Sequence, residues 1–223
     1  VSTVDFPDVD QISLPSAAEF IDTPMHGDLS SSNKLERLQR AGLLLLVKNL
    51  NAMIDAINAE WATRDTDFFT AIGRPRQAVV VEHVAPEHFY PGHKPSLMQS
   101  PIENYPNCSV MAYQANARSG GDDHGQQFDL RFAAEILVRS IVDEEECNCR
   151  IQRTVDAVHR VMLTDRTLGG AFHHPWEDFP AVTNISDVFV RYSDENGRGD
   201  RWYWQGGRLE FVMREFCIIP GGR

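Results

Sequence analysis

The chain has 223 residues, 42% hydrophobic and 24% charged, a balance that suits a folded domain able to bury a core. Its formal net charge of −11 and pI near 5.1 disfavour sequence-independent grip on a nucleic-acid backbone, yet suit a surface past which DNA must slide without sticking. No apolar run reaches the roughly 18 residues of a membrane span, and Val1-Ser2-Thr3-Val4-Asp5 has neither the basic nor the apolar part of a signal peptide, so no membrane partner is expected. Cys108, Cys147, Cys149 and Cys217 are too few and too scattered for a disulfide scaffold and read as reduced thiols in a cytosolic protein.

Six acids (Asp5, Asp8, Asp10, Glu19, Asp22, Asp28) and no Lys or Arg precede Lys34, and without them the formal charge would move from −11 to −5. With Pro7, Pro15 and Pro24 and no sustained period, this stretch is either a disordered tail or an extended arm on a neighbouring subunit. Phe6, Ile12, Leu14, Phe20 and Ile21 would anchor such an arm. A helix is predicted next, with Asn33 as N-cap and Glu36 completing a capping box. Leu35, Leu38, Leu43, Leu46, Leu50, Met53, Ile54, Ile57 and Trp61 give its apolar face.

Strands are predicted over 78–84 and 108–114, separated by a Pro-rich insert at about 85–106. From Phe128 to Val142 the apolar residues alternate (Phe128, Leu130, Phe132, Ala134, Ile136, Val138), which predicts a long one-faced strand with a bulge near Ser140 and Ile141. The acidic run Asp143-Glu144-Glu145-Glu146 suits the positive end of a helix whose apolar stripe is Ile151, Val155, Val158 and Met162. Leu168-Gly169-Gly170 would stop that helix. Further strands are predicted at 185–192 and 209–217, with a hairpin loop at 193–200, a short strand at Trp202–Trp204 and a turn at Gln205-Gly206-Gly207. The fold class is therefore α+β: a mainly antiparallel twisted sheet with one long strand, packed by two principal helices, plus an extended acidic N-terminal arm (1–32) ahead of a single domain (33–223).

No phosphate-binding glycine loop, nucleophile elbow or metal-helix motif occurs, and no catalytic, cofactor-binding or metal residue is assigned. His83, His88 and His93 recur every five residues in the Pro-broken segment and define the alternative reading, a small metal-dependent hydrolase. Trp202, Tyr203 and Trp204, flanked by Arg201 and Arg208, cannot all point into one core from a strand. They form either an interface or a hairpin folded over its own domain edge.

The segments Arg153–Gly170, Ile185–Tyr192 and Leu209–Phe216, with the long strand before them and Tyr105-Pro106, resemble the tail terminator (tail-completion) or neck proteins of long-tailed bacteriophages, over residues 103–218. The resemblance implies a structural virion protein, assembled in the host cytoplasm, that forms a passage for DNA: a ring, usually hexameric, capping the tail tube and joining it to the head-side connector. Its implied partners are other copies of itself, the tail tube protein and the connector, with DNA passing the lumen unbound. A head-tail connector adaptor is the alternative within the same architecture. On this reading Trp202, Tyr203, Trp204, Arg201, Arg208, Phe6, Ile12 and Leu14 are interface candidates, and Asp143, Glu144, Glu145 and Glu146 are candidates for the lumen.

Overall fold

A computed structural model describes residues 31–92, 105–117, 125–168, 184–185, 189–192 and 201–218. Helix α1 (Ser31–Ala71) has 41 residues and is about 60 Å long at 1.5 Å per residue. Asn33 lies inside it, not at its cap, and the helix continues past Trp61 to Ala71. Leu38, Ala41, Leu45, Leu46, Leu50, Ile54, Ile57 and Phe69 are buried along its inner stripe. It ends where Gly73 takes φ +73, with Arg74 N donating to Phe69 O at 2.9 Å and Pro75 following.

The stretch predicted as a strand at 78–84 is not one. Its alternation is real, with Val79 and Val81 buried and Val80 exposed, but its hydrogen-bond partner is helix α1. Asn51 Nδ2 donates to Val84 O and its Oδ1 accepts from Val84 N, both at 3.0 Å. Asn58 repeats the pairing with Val81 O and Val81 N, both at 2.9 Å. One turn pair further on, Asp65 Oδ2 accepts from Val79 N at 2.8 Å. Two side-chain amides and a carboxylate thus satisfy backbone groups that a neighbouring strand would otherwise satisfy.

The sheet comprises β1 (Phe89–Pro91), β2 (Asn107–Ala117), β3 (Gly125–Ser140), β4 (Asn184–Ile185), β5 (Phe189–Tyr192) and β6 (Arg201–Ile218). Their order is β1-β2-β3-β6-β4, with β5 also on β6, and only the β1/β2 pair is parallel. Helix α2 (Glu144–Thr164) joins α1 over one face of this sheet. There Val110, Leu130, Phe132, Ala134, Ile136, Leu209, Phe211 and Met213 meet the helices in one core. Phe132 and Phe211, directly opposite in register, stack with centroids 5.1 Å apart. The molecule is an α+β fold, as the grouping of strands into antiparallel pairs implied.

Four boundaries differ from expectation. The insert at 85–106 contains β1, paired with Cys108–Val110, where no strand was expected. The bulge lies in β2 between Ala112 and Gln114, while β3 pairs with β6 from Gly125 to Ser140 without a break. Gln205-Gly206-Gly207 is no turn: β6 runs straight through it. A Cβ on Gly207 would sit 2.6 Å from Val155 Cγ2 and 3.2 Å from Ile151 Cδ1 of α2, so the glycine permits helix approach to the strand. Finally, α2 stops at Thr164, ahead of the glycines, where Asp165 Oδ1 accepts from Thr167 N at 2.9 Å and from Thr167 Oγ1 at 2.7 Å. The arm at 1–30, the loop at 193–200 and Gly169-Gly170 lie outside the described residues.

Candidate assembly surface

The acidic run opens α2. Asp143 is its N-cap, and Asp143 Oδ1 accepts from Glu146 N at 2.6 Å. Asp143 also pairs with Arg76 at 3.0 Å, and Glu145 with Arg74 at 3.0 Å and Arg76 at 3.8 Å. Glu146 accepts from Ser140 Oγ at 3.2 Å and pairs with Arg150 at 2.7 Å. Three of the four lumen candidates are therefore engaged within the chain. Glu144 is exposed and has no ion pair with a described residue.

These pairs fasten the exit of α1 to the entry of α2. Four large apolar side chains stand exposed there: Phe68 at 55%, Ile72 at 45%, Ile141 at 62% and Val142 at 60%. Their placement follows from local constraints. Phe69 turns inward under the Arg76 guanidinium, 4.0 Å from its ring centroid, so the adjacent Phe68 faces outward. Ile141 and Val142 fall after β3 has ended and before Asp143 caps α2, so neither periodicity turns them inward. The sequence hints at both: a Phe-Phe pair allows only one ring into the core, and Ile141 breaks the strand alternation. None of the four is among the interface candidates that the sequence pattern gives.

The sheet face away from the helices is a cross-strand charge ladder. Arg208 pairs with Glu135, its direct opposite, at 2.9 Å and with Glu210 at 3.0 Å, and lies 5.2 Å from the Tyr113 ring centroid. Burial works against the Arg208 charge, but Glu135 and Glu210 outweigh it and raise its pKa. Arg214 lies 3.5 Å from its opposite, Asp129. Arg208 is thus committed to its own sheet.

Trp204 is only 3% exposed, edge-on to Tyr105 at 6.2 Å, and is no interface residue. Strand alternation puts Tyr203 on the opposite face, partly buried against the core. Of the three, the chain itself thus covers Trp204 and, in part, Tyr203, which agrees with a strand folded against its own domain at these two positions. Arg201 and Trp202 pair with Tyr192 and Arg191 through β5, but their side chains, like Phe6, Ile12 and Leu14, lie outside the described residues.

The histidines of the hydrolase alternative have separate engagements. His83 Nε2 meets Asp55 Oδ1 at 2.7 Å, and His88 Nδ1 donates to Pro106 O at 3.2 Å. His93 lies outside the described residues. Among the described residues no three His, Cys, Asp or Glu side chains are grouped to hold a metal ion. Burial raises the Cys147 thiol to about 12, which keeps it protonated, and raises the Cys149 thiol also. No described helix is long and apolar enough to cross a membrane. Comparisons with protein-family models and with curated proteins found no match.

Proposed function

We propose that the chain is a structural virion protein of a long-tailed bacteriophage. On this reading it forms a hexameric ring that ends the tail tube and joins it to the head-side connector. The observation that carries self-association is the exposure of Phe68, Ile72, Ile141 and Val142. Exposed apolar side chains near ion pairs, as here at the α1 exit and the α2 entry, are what a subunit contact buries. The sequence resemblance over 103–218 supplies the tail-terminator assignment, and the net charge of −11 suits a lumen that DNA traverses. Of the four lumen candidates Glu144 is the exposed one with no ion pair to a described residue, and on this reading it is the acid that faces the passing DNA.

Mass photometry and negative-stain imaging of the full chain test this reading. Closed rings are expected, and Phe68→Asp combined with Ile141→Asp should yield monomers that still unfold cooperatively, since both side chains are exposed in the single subunit, with a melting point lowered only by the lost assembly. Strict monomers of the unaltered chain at micromolar concentration would sink the proposal.

A further inference from the structure

Strand β2 leaves the sheet unfinished at one edge. β1 covers it only from Cys108 to Val110, and Gly92 N donates to Val110 O at 2.8 Å just beyond. Gln39 Oε1 from α1 then accepts from Ala112 N at 3.4 Å. From Tyr113 to Ala117 the outer side of β2 has no partner strand among the described residues, while its inner side pairs with β3. Tyr113, Gln114 and Asn116 are exposed along it. An open edge is a template for another strand, and the bulge at Tyr113 separates it from the stretch β1 covers.

We infer that this edge receives the N-terminal segment of a neighbouring copy, added as a strand through residues 10–14. Helix α1 begins over β3, the strand next to the open part of β2: Lys34 Nζ lies 4.9 Å from the Phe128 ring centroid, and Phe128 is the register partner of Ala117. The segment 1–30 is therefore joined to the domain one strand in from that edge. Within it, Asp10-Gln11-Ile12-Ser13-Leu14 places Ile12 and Leu14 two apart, between Pro7 and Pro15, which limit a strand to about this length. The spacer from 15 to 30 reaches up to about 50 Å when extended, whereas its own edge is only a few strand spacings of about 4.8 Å away. That extended length is enough to reach the edge of an adjoining copy. Charge agrees: the segment has acids and no Lys or Arg, and Arg131, opposite Gln114, is exposed with no ion pair to a described residue.

The inference rests on the ring reading and can fail separately from it. Hydrogen exchange of the full chain reads the amides of residues 113–117, with mass photometry on the same samples. Protection at ring-forming concentration should exceed that of diluted monomer by at least about tenfold, and deletion of residues 1–30 should abolish the gain while β3 stays protected. Protection independent of dilution would mean the segment docks on its own chain and would overturn the inference. Protection surviving the deletion would mean two β2 edges pair directly, and would overturn it equally. Rings with unprotected 113–117 amides would overturn it and leave the ring reading standing, whereas a chain that never assembles would remove both.

Discussion

Apolar burial runs along both halves of α1, but only the second half adds a polar ladder to it. Its first half meets the sheet through apolar contacts: Leu38, Leu46 and Leu50 are fully buried, and Gly42 lets the helix approach so closely that an added Cβ would sit 3.3 Å from Val110 Cγ1. Its second half buries Ile54 and Ile57 as well, and adds polar side chains seven residues apart, Asn51, Asn58 and Asp65, which grip the extended stretch around Val79–Val84. Burial by area tolerates small shifts, whereas a hydrogen-bond ladder fixes one register. The half of α1 that carries Phe68 is the half fixed by the ladder, so the proposed contact surface stands on the more exactly positioned half.

The sharpest break in this contrast is at Arg153. Its guanidinium donates to Asp65 Oδ1 at 2.5 Å, Asp65 Oδ2 at 2.8 Å and Val79 O at 2.8 Å, and lies 4.6 Å from the Trp61 ring centroid. Both partners are buried. Arg153→Ala should cost about 3–5 kcal/mol in urea unfolding, because the Asp65 carboxylate stays buried without its counter-charge. The double variant Asp65→Leu with Arg153→Met should recover part of this loss, but not all, since Val79 N and Val79 O both lose partners. A cost under about 1 kcal/mol for Arg153→Ala would show that the second half is not held in this way.

Much of this was legible in the sequence, and the failures share one cause. Periodicity located both helices, the long strand and the acids that cap α2, because each depends on residues close along the chain. It misread 78–84, where the alternation of Val79, Val80 and Val81 reports an extended backbone but not what pairs with it. The signal that was present, polar residues at 51, 58 and 65 along one side of an apolar helix, has meaning only once a partner is known. Gly206-Gly207 was misread similarly: glycine marks a turn or a close approach, and only α2 above Gly207 decides between them. Trp204 failed as an interface candidate because Tyr105, distant in sequence, covers it.

A milder test of the ladder is Asn58→Ala. It removes both hydrogen bonds to Val81 without introducing a charge, so the cost should be about 1–3 kcal/mol, the penalty for leaving a part-buried backbone donor and acceptor unpaired. Exchange at the Val81 amide should rise with the loss, while Leu46→Ala, which acts on the first half, should cost about 2–5 kcal/mol and leave Val81 exchange governed by global unfolding alone. Equal local opening in both variants would erase the distinction between the halves.

The smallest effect concerns Glu60, on the second half but at its surface, where it pairs with Arg160 at 3.1 Å and Arg64 at 2.8 Å. The hydrogen bond from Arg160, opposed by a lesser desolvation and aided by the charges of Arg160 and Arg64, lowers its carboxyl pKa. A carboxylate depressed in the folded state stabilises above its unfolded value, near pH 4.3, and that contribution disappears as pH falls through the folded value. Urea midpoints of the unaltered chain and of Glu60→Gln should therefore differ slightly at pH 6 and converge as pH drops below 4. A difference that grew on acidification would reverse the sign and show that these arginines do not favour the charged carboxylate. Since both arginines and Glu60 are in contact with water, salt at about 1 M should also shrink the difference, whereas the Arg153 loss should persist there.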